Sequence, residues 1–276
     1  LKILAHLNIL ISELDLPGEN SMYDDVSLLI QGPANDPNKL DFIPYVEYYK
    51  TLFSEIILST YKEHMTDSLR EFCQVNNIIL VEETINLGNV ENKYNIAYQT
   101  YTTLNGLKQV SNKYCLKTRT DEGYSNLNKL VDLFLEDDEK WVCGSTVMGP
   151  KIYHVFHAAD HLFIGKTEKL KKCFEYTYEN LFLGIMERNV VGEPAAEVTF
   201  TKNFIIISGD TPDLERHDEL MLKYFNFVND REFYPFRIRF NHIPRLYTEL
   251  SHFHPCWLSY NNMDDILSSR GGMIVC

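Results

Sequence analysis

Short β-rich runs alternate with segments of helix length through the first half of the chain, and this alternation constrains the fold more than any other feature. Residues 26–30 (Val-Ser-Leu-Leu-Ile) run into Gln31-Gly32-Pro33, a strand closed by a turn. Residues 55–58 (Glu-Ile-Ile-Leu) lead to Ser59 and Thr60, and residues 78–81 (Ile-Ile-Leu-Val) lead to Glu82 and Glu83. Between them lie 42–53, rich in aromatics at helical spacing, and 66–75, where Thr66 is placed to cap a helix with Leu69, Phe72 and Cys73 on one face. A fourth unit, the polar but helix-length segment 94–110, feeds a strand over 114–120. A β-α-β-α-β-α-β order predicts an α/β fold: a mostly parallel sheet covered by helices on both faces. Ligands of such sheets sit beyond the carboxyl ends of the strands. That rule selects Gln31–Pro33, residues 59–62, Glu82–Glu83 and Asp121–Glu122 before any chemistry is considered.

The second half is less regular. Strands are expected over 141–147 and 161–164, and a helix over 167–183. A further helix opens after Pro194 and runs through Glu197 to about Phe204. Residues 205–208 (Ile-Ile-Ile-Ser) read as a strand and 213–227 as a helix, whereas the Phe-, Tyr-, His- and Pro-rich tail from Arg231 matches no template. With 276 residues, 45% of them hydrophobic, the chain can bury a full core. No repeat or low-complexity linker divides it. The expectation is one large domain over 1–276, with a helical extension over 1–25, a core over 26–210 and a C-terminal part over 211–276.

Charge restricts the ligands. Against 26 Lys and Arg stand 39 Asp and Glu, a net of -13. Such a surface repels polyanions, which argues against nucleic acid and acidic membranes; a small anion needs a metal or a local basic cluster to be accepted. The six cysteines contain no C-x-x-C pair and several sit in apolar runs, which indicates neither a disulfide framework nor a zinc knuckle and suits a reducing, cytoplasmic compartment. No apolar run reaches the roughly 18–20 residues of a spanning helix. Residues 1–16 place Leu4, Leu7, Leu10, Ile11 and Leu14 at helical spacing but interrupt them with Lys2, His6, Asn8, Glu13 and Asp15. That face could dock on the same chain, on a partner or on a membrane surface as a peripheral contact.

Lys117-Thr118-Arg119-Thr120-Asp121-Glu122 is the segment richest in chemistry. Residues two apart on a strand share a face, so Lys117, Arg119 and Asp121 would project together. Buried charges need partners. Two cations and a carboxylate at a strand's carboxyl end suit a metal–diphosphate site; an edge strand with solvated charges fits the pattern equally well. Gly32 would let a backbone approach a ligand, although turn chemistry alone explains Gly-Pro. There is no G-x-G-x-x-G fingerprint, Walker loop, H-E-x-x-H or G-x-S-x-G elbow, which argues against hydride transfer, P-loop chemistry and covalent hydrolysis. His154, His157, Asp160 and His161 crowd eight residues. On a helix the three histidines would share a face and bind metal. The flanking Ile152, Val155, Phe156, Leu162 and Phe163 favour strand-turn-strand, which would scatter them and leave Asp160 facing a cleft. Glu193 and Glu197 flank Pro194 near a helix start, where a carboxylate can cap the helix or serve as a general base. His242, His252 and His254 in the tail could supply a late metal or phosphate contact, with core or surface roles as the alternative.

Taken in order, these blocks resemble the WavE lipopolysaccharide-synthesis family, whose members look like GT-A-type glycosyltransferases. The resemblance begins with Val26 to Pro33 and residues 55–62. It continues with Asn95-Ile-Ala-Tyr-Gln99 and Asn105-Gly-Leu-Lys108, similar to an Asn-x-x-x-Gln helix ending in Gly-Leu-Lys. Tyr114-Cys-Leu-Lys-Thr-Arg-Thr-Asp121 resembles a Tyr-x-x-Lys-x-Arg-x-Asp strand, residues 159–165 an Asp-x-x-x-x-Gly segment, and residues 196–202 a block built around one Glu. Two departures stand out. The usual Arg before the Gln of the helix motif is Tyr98 here, and the Pro expected directly before the Glu lies three residues upstream of Glu197, at Pro194.

By position, the resemblance implies a GT-A-like nucleotide-binding sheet with a less regular C-terminal acceptor part. Gln31, Gly32 and Pro33 would border the nucleotide of the donor, with Ser59, Thr60, Asn95, Gln99, Lys117 and Arg119 also on the donor side. Asp121, with His254, would hold Mn²⁺ or Mg²⁺. Glu197 would be the base and Asp160 the second candidate for that role. The activity implied is metal-dependent, inverting transfer of a sugar from a nucleotide-sugar to a glycan or lipid-linked acceptor. Two other readings stand beside it: a metal-dependent hydrolase or nucleotidyltransferase using the 154–161 cluster, and a non-catalytic nucleotide-binding module.

Overall fold

The structure is a computed structural model and describes residues 21–34, 40, 42–84, 95–144, 156–185 and 195–228. The expected 1–25 extension up to residue 20, the tail from 229, and with them Glu193, Pro194, His154, His242, His252 and His254, lie outside the described residues.

Seven strands form one sheet in the order β3-β2-β1-β4-β6-β5-β7. They are β1 (Tyr23–Gln31), β2 (Phe53–Tyr61), β3 (Ile79–Glu83), β4 (Tyr114–Arg119), β5 (Trp141–Gly144), β6 (Phe163–Lys166) and β7 (Phe225–Val228). Every pairing is parallel except those of β6, which runs antiparallel to both β4 and β5. The α/β architecture read from the sequence, a mostly parallel sheet flanked by helices, is the one observed. The chain steps outward from β1 to β2 to β3, then returns to the other side of β1 for β4. The sheet's switch point therefore falls between β1 and β4. In register, Gln31 lies between Ser59 of β2 and Arg119 of β4.

The central strands are near-continuous apolar runs because both of their faces are buried. Leu28, Ile30, Ile56, Leu58, Leu116 and Ile164 point to one face and pack with helices α1 (Val46–Leu52), α2 (Asp67–Val75) and α4 (Leu127–Glu136). Their neighbours Leu29, Ile57, Cys115 and Phe163 point to the other, under α3 (Ile96–Gln109), α5 (Thr167–Phe182), α6 (Ala196–Ile207) and α7 (His217–Tyr224). Thr66 caps α2 as expected, its hydroxyl accepting from the Leu69 amide at 3.2 Å. Helix α3 lies close on the sheet because residue 106 is glycine: a Cβ there would stand 2.3 Å from Leu29 Cδ1 and 3.0 Å from Ser59 Cβ. Cys73, Cys115, Cys143 and Cys173 are buried and form no disulfide among the described residues.

The structure corrects several boundaries. Residues 205–207 are helical rather than a strand: Phe204 and Ile205 are buried at the end of α6, with the Phe204 ring 4.8 Å from that of Trp141. Packing on one helix face overrides the β-propensity of three isoleucines. The helix expected over 213–227 is confined to α7, and Phe225–Val228 instead extend as β7 beside β5. Phe53 opens β2 rather than closing α1. No helix among the described residues is long and apolar enough to cross a membrane.

Candidate functional site

The carboxyl ends of β1, β2 and β4 meet under the first half of α3. The Thr102 hydroxyl, on α3, lies 2.8 Å from Gln31 Oε1 and 2.8 Å from the Tyr98 carbonyl, while Ser59 Oγ donates to the Thr102 carbonyl at 2.7 Å. Thr60 Oγ1 is buried with no hydrogen-bond partner among the described residues. Gly32 has φ 136°, and a Cβ there would come within 2.7 Å of Thr120 Oγ1. That hydroxyl donates to the Pro33 carbonyl at 2.8 Å, and the Thr120 amide donates to the Gln31 carbonyl at 3.0 Å. Glycine is what allows the turns after β1 and β4 to knit together at the switch point.

A charged cluster fills the rim beside them. Lys117, fully buried with its Nζ 5.3 Å from the centre of the Phe163 ring, donates to the Asp160 carbonyl. Arg119 grips Asp121 with a two-pronged fork, Nε to Oδ1 at 2.8 Å and Nη2 to Oδ2 at 3.0 Å. His161 Nδ1 lies 2.8 Å from Glu122 Oε1, and its Nε2 lies 3.4 Å from Arg119 Nη1. Asp160, only 4% exposed, accepts from Gln99 Nε2 through Oδ2. Its Oδ1 has no hydrogen-bond partner among the described residues and faces His161 Nε2 at 3.5 Å. Glu197, in the first turn of α6, has His157 Nε2 3.8 Å from its Oε2.

The surroundings set the charges. Burial, assisted by the nearby Arg119 charge and opposed by Asp160, brings the Lys117 ammonium down to about 8. Burial alone would raise Asp160, but His161, Lys117 and Arg119 outweigh it and hold the carboxyl below its usual range. Burial and the Asp160 charge push Glu197 up to about 7. Burial works against the Arg119 charge, yet Asp121, Glu122 and Asp160 keep it firmly protonated.

The sequence-derived candidates divide accordingly. Gln31, Gly32, Pro33, Ser59, Thr60, Gln99, Lys117, Arg119, Asp121, Asp160 and Glu197 all belong to this region. Asn95 heads α3 in the left-handed conformation (φ 62°), exposed and bonded to none of these groups. Asp121 gives both oxygens to Arg119, so a guanidinium stands where its metal was expected. Among the described residues, the groups that could hold an ion together are Asp160, His161 and Glu197, whose ligand atoms lie within 4.8 Å of one another. The expectation that an irregular 154–161 segment would scatter its members is corrected for His157, Asp160 and His161: without a helix, the approach to β6 still gathers all three around Glu197. Glu122 and Thr102 had been given no role of their own. Each could have been found as a neighbour: Glu122 directly follows Asp121, and Thr102 lies one helical turn beyond Gln99.

No family model matches the chain, and no curated protein does, so the WavE resemblance rests on its motifs. Solved structures are similar at low identity. TarS from S. aureus aligns at 12% identity and TM-score 0.45, over 76% of this chain and 36% of its own length. Glucosyl-3-phosphoglycerate synthase from Mycobacterium tuberculosis, in complex with Mn²⁺, uridine diphosphate and glucosyl-3-phosphoglycerate, aligns at 12% identity and TM-score 0.44, over 75% of this chain and 70% of its own. HddC from Yersinia pseudotuberculosis aligns at 13% identity and TM-score 0.35, over 54% and 79%. The chain thus spans little more than a third of TarS. Overlaps this partial leave the function to be argued from the side chains at the switch point.

Proposed function

We propose that the chain is a nucleotide-sugar glycosyltransferase of GT-A type, metal-dependent and inverting, acting on a glycan or lipid-linked acceptor. The observation that carries this reading is the Arg119–Asp121 pair at the carboxyl end of β4, next to the switch point where α/β sheets bind ligands. An acidic chain that must receive a diphosphate keeps a matched cation and anion there. With a donor bound, the Arg119 fork would meet phosphate oxygens and Asp121 would be available to hold Mn²⁺ or Mg²⁺. Carboxylate oxygen suits either ion, and Arg119 now stands in for it as a positive charge. Bound there, the cation would neutralise the charge that develops on the diphosphate leaving group.

The remaining residues serve orientation and proton transfer. Gln31, Gly32 and Pro33 offer a close backbone approach along the donor, with Ser59 and Thr60 behind them. Lys117 and Gln99 fix Asp160 from two sides, through its carbonyl and its carboxylate. Glu197 takes the proton of the acceptor hydroxyl, a task suited to a carboxyl near pH 7. The test is titration of UDP, CDP, GDP and ADP into the full chain with and without Mn²⁺, paired with donor turnover by Asp121→Asn. The expected result is one preferred diphosphate that needs the metal, and loss of turnover in the variant. Unchanged turnover in Asp121→Asn removes the proposal.

One observation favours a second reading, a metal-dependent hydrolase or nucleotidyltransferase. Oδ1 of Asp160, with no hydrogen-bond partner among the described residues and buried beside His161 and Glu197, could serve as a metal ligand. Metal bound without nucleotide, and lost in Asp160→Asn but not in Asp121→Asn, would select it.

A further inference from the structure

The rim of β2 carries three aromatic side chains that none of the roles above uses. Tyr61 ends β2, His64 ends the short 3-10 turn that follows (Lys62–His64), and Tyr98 stands in the first turn of α3. Their rings are joined edge to face: Tyr61 to His64 at 4.8 Å and 78°, Tyr61 to Tyr98 at 5.3 Å and 63°. Tyr98 is 36% exposed, so its ring keeps one side open to solvent while the other packs on Tyr61.

Two connections tie this group to the switch point. The Tyr98 carbonyl accepts from the same Thr102 hydroxyl that meets Gln31, and the Tyr61 hydroxyl lies within the electrostatic influence of Thr102 and Arg119. In the order β2-β1-β4, the end of β2 lies two strand spacings, about 10 Å, from the Arg119–Asp121 pair. That is the reach of a ribose and base from their diphosphate. The turn after β1 (Gln31-Gly32-Pro33-Ala34) has no aromatic side chain of its own, so on this side of the crevice the flat apolar surface comes from β2 and α3. A base has a π-face and no net charge, which fits an aromatic shelf in an otherwise acidic chain.

We propose that Tyr61, His64 and Tyr98 form the stacking shelf for the base of a nucleoside diphosphate, with Tyr98 as the outer, base-contacting ring. This rests on the donor reading above and names residues that it left without a role. Tyr61 and His64 set the angle of Tyr98, and Thr102 couples the shelf to Gln31.

The test is isothermal titration of the full chain, in Mn²⁺, with UDP, CDP, GDP and ADP, and with inorganic pyrophosphate as a base-free probe. Tyr98→Ala is expected to weaken the preferred diphosphate about 5- to 100-fold. Tyr98→Phe should stay within about twofold, because it keeps the ring. Tyr98→Leu keeps apolar bulk without a π-face and should lose as much as the alanine variant, which separates stacking from local packing. Pyrophosphate should bind all four proteins alike. Diphosphate binding by Tyr98→Ala and Tyr98→Leu equal to wild type overturns the shelf and leaves the donor reading standing. No binding of any nucleoside diphosphate by the wild type overturns both.

Discussion

Glu197 is under opposing influences. It lies in the first turn of α6, where the helix end favours a negative charge, yet burial and the Asp160 charge push its carboxyl up to about 7. As the proposed base, Glu197 would work only when deprotonated, so transfer should rise as pH passes upward through about 7 and then level. Glu197→Gln should lower turnover about 10²- to 10⁴-fold and flatten that profile. Stability runs the other way. The folded-state value lies above the ordinary 4.5, so the stabilising contribution is complete below the unfolded value and is lost as pH climbs through about 7. Glu197→Gln, which cannot ionise, should therefore resist urea better than wild type above neutral pH. A variant no more stable there, with an unchanged rate profile, would show that Glu197 titrates in its ordinary range.

Among the elements, α3 matters most to the site, because it carries Gln99 and Thr102 over the ends of β1 and β2. Its depth is fixed at Gly106. Alanine there gains about 1 kcal/mol of helix propensity. It also drives a methyl into Leu29 and against Ser59 Cβ, overpacking that costs about 1–3 kcal/mol. The leucine end can swing aside and the Ser59 Cβ cannot, so urea denaturation should show a net loss, with diphosphate affinity falling as α3 lifts off Ser59. The same elements show what the sequence could reveal. The strands over 26–30, 55–58, 78–81 and 114–120 were legible because buried parallel strands are apolar without interruption, and Thr66 because a cap is a local signal. Residues 205–207 and 225–228 were not, because their state is set by Trp141, a partner distant in sequence that touches both Phe204 and Phe225. In the site, Lys117, Arg119 and Asp121 could be grouped from strand periodicity alone. That Asp121 would spend both oxygens on Arg119, while Asp160, His161 and Glu197 draw together, depends on how β6 and α6 meet, and no spacing encodes that.

For the molecule as a whole, a net charge of -13 disfavours an anion, and in the proposed donor site a divalent cation would offset that cost together with Arg119. Nucleoside diphosphate and Mn²⁺ should therefore stabilise the fold together more than the sum of either alone. At about a hundred times its Kd a ligand adds about 2.7 kcal/mol. In a chain of this size that is about 5–10 °C in Tm. Additive small shifts in a melting experiment would show that metal and nucleotide bind independently. The reversed strand β6 bears on how this molecule can vary. It joins the β3-β2-β1-β4 half of the sheet to the β5 and β7 half, and its antiparallel course delivers Asp160 and His161 at its entrance, beside the exit of β4. The Gln31–Arg119 side and the Asp160–His161 side thus meet along the β4–β6 ladder, across which either could be remodelled while the other keeps its register.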